Sequence, residues 1–176
     1  MAANWTAFVA GAVLEASQLN GVVDNFQDIA IFNETQASGT QGGTATSGSF
    51  VKRTLNTTVV NNIAGCSIAS SVITLPAGTY KAVGYAPGYR TSGNQARFYN
   101  NTGAAVVGAP SNNITSDNGG NGGVVAVVDT YFTLAVTSNI QLEHRVQTTV
   151  AGAGYGSAQS FGTSEIYAQV TITRIA

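Results

Sequence analysis

The chain has 176 residues and a mass of 17.9 kDa, and only 15 of its side chains are charged, seven basic and eight acidic. A charged fraction of 9% is far below the roughly 25% of an ordinary soluble domain. A formal net charge of −1 gives no electrostatic footprint for nucleic acid or an anionic membrane. The apolar runs are short, well under the roughly 20 residues that span a bilayer. The opening Met1-Ala2-Ala3-Asn4-Trp5 has no basic n-region of a signal peptide, and one cysteine, Cys66, excludes an intramolecular disulfide framework.

Three zones follow in chain order. In residues 1–36 the apolar residues Ala16, Leu19, Val22, Val23, Phe26, Ile29 and Ala30 recur at spacings of three and four. That spacing predicts an amphipathic helix over Glu15–Phe32, interrupted by Gly21. So short a helix must bury its stripe on the body, a sister chain or another protein. Residues 37–49, with the run Ser38 to Ser49, carry no charge and no large apolar side chain, which predicts a flexible tether.

Residues 50–176 read as β throughout. Strands are predicted near Phe50–Leu55, Ser67–Leu75, Thr79–Ala86, Ala96–Tyr99, Gly123–Val128, Tyr131–Thr137, Ile140–Thr148 and Glu165–Ile175, with turns at Gly- and Asn-rich breaks. Eight or so short strands without intervening helices predict an all-β antiparallel sandwich or jelly roll. In Ile140–Gln147, Ile140, Leu142, His144 and Val146 share one face. In the last strand Ile166, Ala168, Val170 and Ile172 share one face. The opposite face, with Tyr167, Gln169 and Thr171, is uncharged after Glu165. An uncharged, Tyr- and Thr-rich face suits a subunit interface, where charge is depleted. His144, Tyr167, Gln169 and Thr171 are therefore the candidate interface residues, with His144 as a hydrogen-bonded core or interface histidine.

Convergent ionisable groups are scarce. Cys66, in Gly65-Cys66-Ser67-Ile68, reads as a structural thiol, and no nucleophile elbow or metal-ligand spacing occurs. The run Asp117 to Gly123 lacks the ligand spacing of a calcium loop. Glu143, beside His144 and Arg145, suggests a structural ion pair, and Asp129 sits in a turn. A hydrolase would have to rest on Glu143 and Asp129. No catalytic residue, cofactor or metal is expected. Tyr85, Tyr89, Tyr155 and Phe161 lie beside Gly, Asn and Ser, the composition of adaptable recognition loops. They are the candidate contacts to a host-surface glycan or protein.

Two stretches resemble known proteins. Trp5, then Phe8 to Asn20 with its Gly11-x-x-Leu14-x-Ala16-x-x-Leu19-Asn20 core, then Asp24-Asn25, resembles the opening segment of tailed-bacteriophage virion proteins. The body, with Leu75-Pro76-Ala77-Gly78-Thr79-Tyr80, Gln95 to Asn100, Leu142 to Arg145 and Phe161 to Ala168, is similar to the head of short phage fibres and decorations. That head resembles the trimeric jelly roll of tumour necrosis factor and the complement globular head. The resemblance implies a non-enzymatic virion protein, a homotrimer held to capsid or tail proteins by Trp5, Phe8, Leu14, Leu19 and Phe26. It implies a short fibre or knob for host attachment; a capsid-decorating protein and a stand-alone carbohydrate-binding module are the alternatives.

Overall fold

The computed structural model describes residues 28–114 and 122–175. These form eleven strands: β1 Ile29–Gln36, β2 Val51–Lys52, β3 Thr57–Asn61, β4 Ser67–Ala69, β5 Val72–Leu75, β6 Gly78–Tyr89, β7 Gly93–Asn100, β8 Ala105–Ile114, β9 Gly123–Leu134, β10 Ser138–Val146 and β11 Glu165–Arg174. They pair into a five-stranded sheet, β3-β1-β11-β6-β9, and a six-stranded sheet, β4-β5-β10-β7-β8, with β2 beside β10. All strand pairings are antiparallel. The chain passes between sheets at nearly every connection from β5 onward, the winding of a jelly-roll sandwich.

The core lies between the sheets. Phe32, Tyr80, Phe98, Leu142, Val170 and Ile172 are buried there, each from the inward parity of its strand. Removing a large apolar side chain from water contributes about 1.5–3 kcal/mol, so these positions dominate stability. Gly84 leaves room for two of them. A Cβ there would stand 2.9 Å from both Leu142 Cδ1 and Phe98 Cζ.

The β expectation holds, with corrections to boundaries. The end of the predicted helix is not helical: Ile29–Gln36 is β1, between β3 and β11. Ala30 and Phe32 alternate inward while Ile29 and Ile31 point out, and the body therefore begins before residue 50. The predicted helix before residue 28, with Leu19 and Phe26, and the anchor residues Trp5, Phe8 and Leu14 ahead of it lie outside the described residues.

The expected tether is a strap laid on the body. Ala45 is fully buried and exchanges two backbone hydrogen bonds with Val150, at 3.0 and 2.9 Å. The Gly42 and Gly43 amides donate to the carbonyls of Gly156 and Gly152. Small side chains here serve close backbone approach. A Cβ on Gly42 would sit 2.8 Å from the Tyr155 carbonyl carbon.

Other boundaries shift for identifiable reasons. Ser67–Leu75 is two strands, because Ser70 and Ser71 turn with φ of 48° and 62°. Thr79–Ala86 runs on through Pro87 to Tyr89: β11 leaves β6 after Tyr85, so Pro87 stands at an edge where a missing donor is tolerated. The two strands expected over Gly123–Thr137 are the single β9, paired without a break along β6.

Candidate functional site

The two outer faces of the sandwich differ in kind. On the six-stranded sheet, Gln141, Glu143 and Arg145 of β10 and Gln95, Arg97 and Tyr99 of β7 point away from the core. Glu143 accepts from Arg97 Nε at 2.6 Å and from Gln141 Nε2 at 2.6 Å. The ion pair expected of Glu143 thus forms across the strands, with Arg97. Glu143 is itself buried, and Phe50 lies over the Arg97 guanidinium at 3.7 Å, so this pair is largely covered.

The five-stranded sheet presents a different surface. Its outward parity carries Ile31 and Asn33 of β1, Gln169 and Thr171 of β11, Val83 and Tyr85 of β6, and Val127 and Tyr131 of β9. Val127 and Tyr131 are 51% and 62% exposed. The outward positions at the middle of these strands hold one ion pair, Lys81–Asp129 at 3.6 Å, itself half exposed. Exposed Val127 and Tyr131 flank Asp129 and adjoin the half-buried Ile31, Val83 and Tyr85, an apolar surface of the kind that interfaces use. Gln169 and Thr171 lie on this face, half-buried between β1 and β6, with Gln169 Nε2 donating to Asn33 Oδ1 at 2.9 Å.

His144 and Tyr167 do not lie on it as accessible residues. His144 is fully buried between the sheets, because the inward parity of β10 carries it there. Tyr167 keeps the outward parity of β11, but the strap crosses over it. Its hydroxyl donates to the Thr40 carbonyl at 2.7 Å, and it is 4% exposed.

Instead, His144 belongs to a buried clasp around Arg53, a residue that nothing in its sequence neighbourhood marks. Arg53 binds Glu34 Oε2 through Nε at 2.9 Å and Nη2 at 2.7 Å, and Nη2 donates to the Tyr167 carbonyl at 3.1 Å. Arg53 Nη1 faces His144 Nδ1 at 3.4 Å. A guanidinium can only donate, so Nδ1 accepts and the proton sits on Nε2, which donates to Asn94 Oδ1 at 3.2 Å. Tyr155 lies over the guanidinium, 4.0 Å from its carbon to the ring centroid.

Burial pushes the Glu34 carboxyl up and the Arg53 guanidinium down, each opposed by the other's charge. Burial, and then the Arg53 charge, push the His144 imidazole down to about 3. His144 is therefore neutral through the physiological range. It has no nucleophile beside it in the clasp, and the arrangement does the work of a structural staple.

The four candidate contact rings separate. Tyr155 is committed to Arg53. Tyr85 is half-buried on the bare sheet face, cross-strand from Gln169 and Val127. Tyr89 lines a groove with Val125, Gln159 and Glu165. Phe161 is 81% exposed, on a tight turn held by Glu165 Oε1, which accepts from the Gly39, Gln159 and Ser160 amides. Cys66 is half-buried against the core, and burial raises its thiol to about 11, which disfavours the thiolate. Among the described residues no group of three His, Cys, Asp or Glu is placed to hold a metal, and no helix is long and apolar enough to cross a membrane.

An all-β jelly roll with one bare face is the class this chain defines. The globular domain of zebrafish complement 1qA is similar to it, with a TM-score of 0.50 at 14% identity over 84% of this chain and 95% of that one. Murine APRIL is similar at a TM-score of 0.49 and 8% identity, over 82% of this chain and 97% of that one. The first likeness supports the jelly-roll fold. No protein-family model and no curated protein sequence matches the chain.

Proposed function

We propose that this chain is a non-enzymatic assembly protein: a homotrimeric jelly-roll head, held to a bacteriophage particle by its N-terminal segment and displaying its other sheet for host attachment. The observation that carries the trimer is the bare outer face of β1, β11, β6 and β9. Left in water, Ile31, Val83, Tyr85, Val127 and Tyr131 would form a standing association site. A closed ring of sister chains covers that face without leaving a copy to add further subunits. What supports the virion assignment is the sequence pattern Trp5…Gly11-x-x-Leu14-x-Ala16-x-x-Leu19-Asn20, whose apolar residues would seat on capsid or tail proteins.

The solution mass tests the first half. Light scattering of the pure chain is expected to give three times 17.9 kDa; a clean monomer overturns the trimer. The second half is tested by incorporation into particles. Trp5→Ala together with Leu19→Ala is expected to abolish it while the mass of the free protein is unchanged. Normal incorporation of that variant overturns the anchor.

A further inference from the structure

The sheet opposite the bare face carries a cleft of about 760 Å³, between the start of β7, β8, the end of β10 and the strap. Its size is that of a small-ligand site, but its lining is not the usual apolar one. Gln95, Asn112 and Gln147 bring three amide side chains to it and Arg145 brings a guanidinium, while Asn113 Nδ2 donates to the Val125 carbonyl at 2.8 Å. Among the described residues no carboxylate lines it.

Arg145 is exposed, and among the described residues no carboxylate lies within ion-pair distance of it. The contrast with its own strand is informative. Arg97 faces Glu143 across β7 and β10 and is paired, whereas Arg145 faces Gln95, an amide that cannot neutralise it. Glu143, the nearest acid along the strand, is already taken by Arg97 and Gln141.

The walls are held in place. Gln95 Nε2 donates to Asn112 Oδ1 at 2.5 Å, and Gln147 Oε1 accepts from the Gly93 amide at 3.1 Å. The Gln147 amide donates to the Gly93 carbonyl at 2.7 Å, and the Ser47 amide to Thr149 Oγ1 at 2.9 Å. A Cβ on Gly93 would stand 2.9 Å from Gln147 Oε1, so the Gln147 side chain lies close over this corner.

We infer that this cleft binds an acidic saccharide carrying a single negative charge per sugar, through hydrogen bonds from the amides and a charge-assisted pair with Arg145. An amide offers donor and acceptor together, which matches a sugar hydroxyl that is both. A guanidinium takes a carboxylate or sulfate oxygen pair side by side. One fixed positive charge matches a monoanion. Tyr89 and Phe161 lie elsewhere, so recognition here is by hydrogen bond and charge without ring stacking. The inference rests on the proposed attachment role and names its ligand class and site. The cleft lies on the face that assembly leaves free, so a trimer would present three copies and gain by avidity.

Titration calorimetry with trigalacturonic acid, 6-sulfogalactose and neutral galactotriose tests it on the intact chain. At low salt an anionic sugar is expected to bind about tenfold tighter than the neutral one, and the preference is expected to shrink at high salt. Preference for the uronate or for the sulfate tells which anion the site takes; either supports the inference. Arg145→Gln, at an exposed position that should leave folding intact, is expected to abolish the preference. Asn112→Ala is expected to weaken all the sugars. Absence of binding by both anionic sugars, or a preference that survives Arg145→Gln, overturns the inference. The mass of the same samples separates the two readings. A trimer that binds no sugar sinks only the cleft, and a monomer that binds sinks only the trimer.

Discussion

A guanidinium without water around it needs its donors matched, and Arg53 meets that demand with Glu34, the Tyr167 carbonyl and His144 Nδ1, under the ring of Tyr155. The clasp ties β1, β10, β11 and the loop after β10 to one side chain. Removing one partner leaves the other as an uncompensated buried charge. Arg53→Met is therefore expected to lower unfolding free energy by about 3–5 kcal/mol, whereas Arg53→Met with Glu34→Met should recover most of that loss. Urea unfolding of the two variants checks it; equal losses in both would mean that burial, and not pairing, sets the cost.

His144 gives a second prediction. Its folded pKa, about 3, lies below its ordinary value of 6.5. Between those values the unfolded chain binds a proton that the folded chain refuses. Stability from this group is thus complete above about pH 6.5 and falls as pH drops through the window. His144→Gln should flatten the stability–pH profile over that range; identical slopes in wild type and variant would contradict it.

At the scale of elements, the strap over residues 37–49 makes the sharpest contrast between composition and structure. Gly, Ser and Thr without charge read as a tether, yet the Gly42, Gly43 and Ala45 amides donate to the loop at 150–156. Hydrogen exchange should therefore show protection at these amides well above that of a free chain; exchange at random-coil rate would restore the tether. Composition could not tell these cases apart, because small residues serve a mobile chain and a close backbone approach equally well. The same limit hid β1. Ile29 and Ala30 fit both a helical spacing of three and four and a strand alternation, and only pairing with β11 decides. By contrast, the faces of β10 and of β11 from Ala168 onward were legible from alternation, whereas a register shift opposite Glu34 and Thr35 leaves Ile166 exposed and the strap buries Tyr167. Arg53 and its partner Glu34 were not, because they meet across the two sheets, from β1 and the end of β2. Arg145 was visible as a charge, but its lack of a partner appears only in the register that sets it against Gln95. Close packing supplies a further test at this scale. Gly84→Ala would press on Leu142 and Phe98, and a loss of about 1–3 kcal/mol in unfolding free energy is expected.

At the scale of the molecule, charge is scarce on both outer faces, and what separates them is apolar exposure. The six-stranded sheet keeps Glu143, Arg97 and Arg145, while the five-stranded sheet exposes Val127 and Tyr131 with one weak ion pair nearby. Exposed Val127 and Tyr131 mark the surface that the proposed assembly would cover. A charge placed at the centre of such a surface would have to lose its hydration on assembly, with no opposite charge within reach except the existing Lys81–Asp129 pair. Val127→Asp is therefore expected to dissociate the assembly to monomers, because position 127 is half exposed in the isolated chain and tolerates a carboxylate there. The thermal unfolding of the resulting monomer, read at matched concentration, should stay cooperative. Arg145→Gln on the opposite sheet should leave the mass untouched. Light scattering of the two variants side by side decides between the faces: loss of mass by Arg145→Gln alone would move the interface to the six-stranded sheet and close the cleft that the inference above requires to be open.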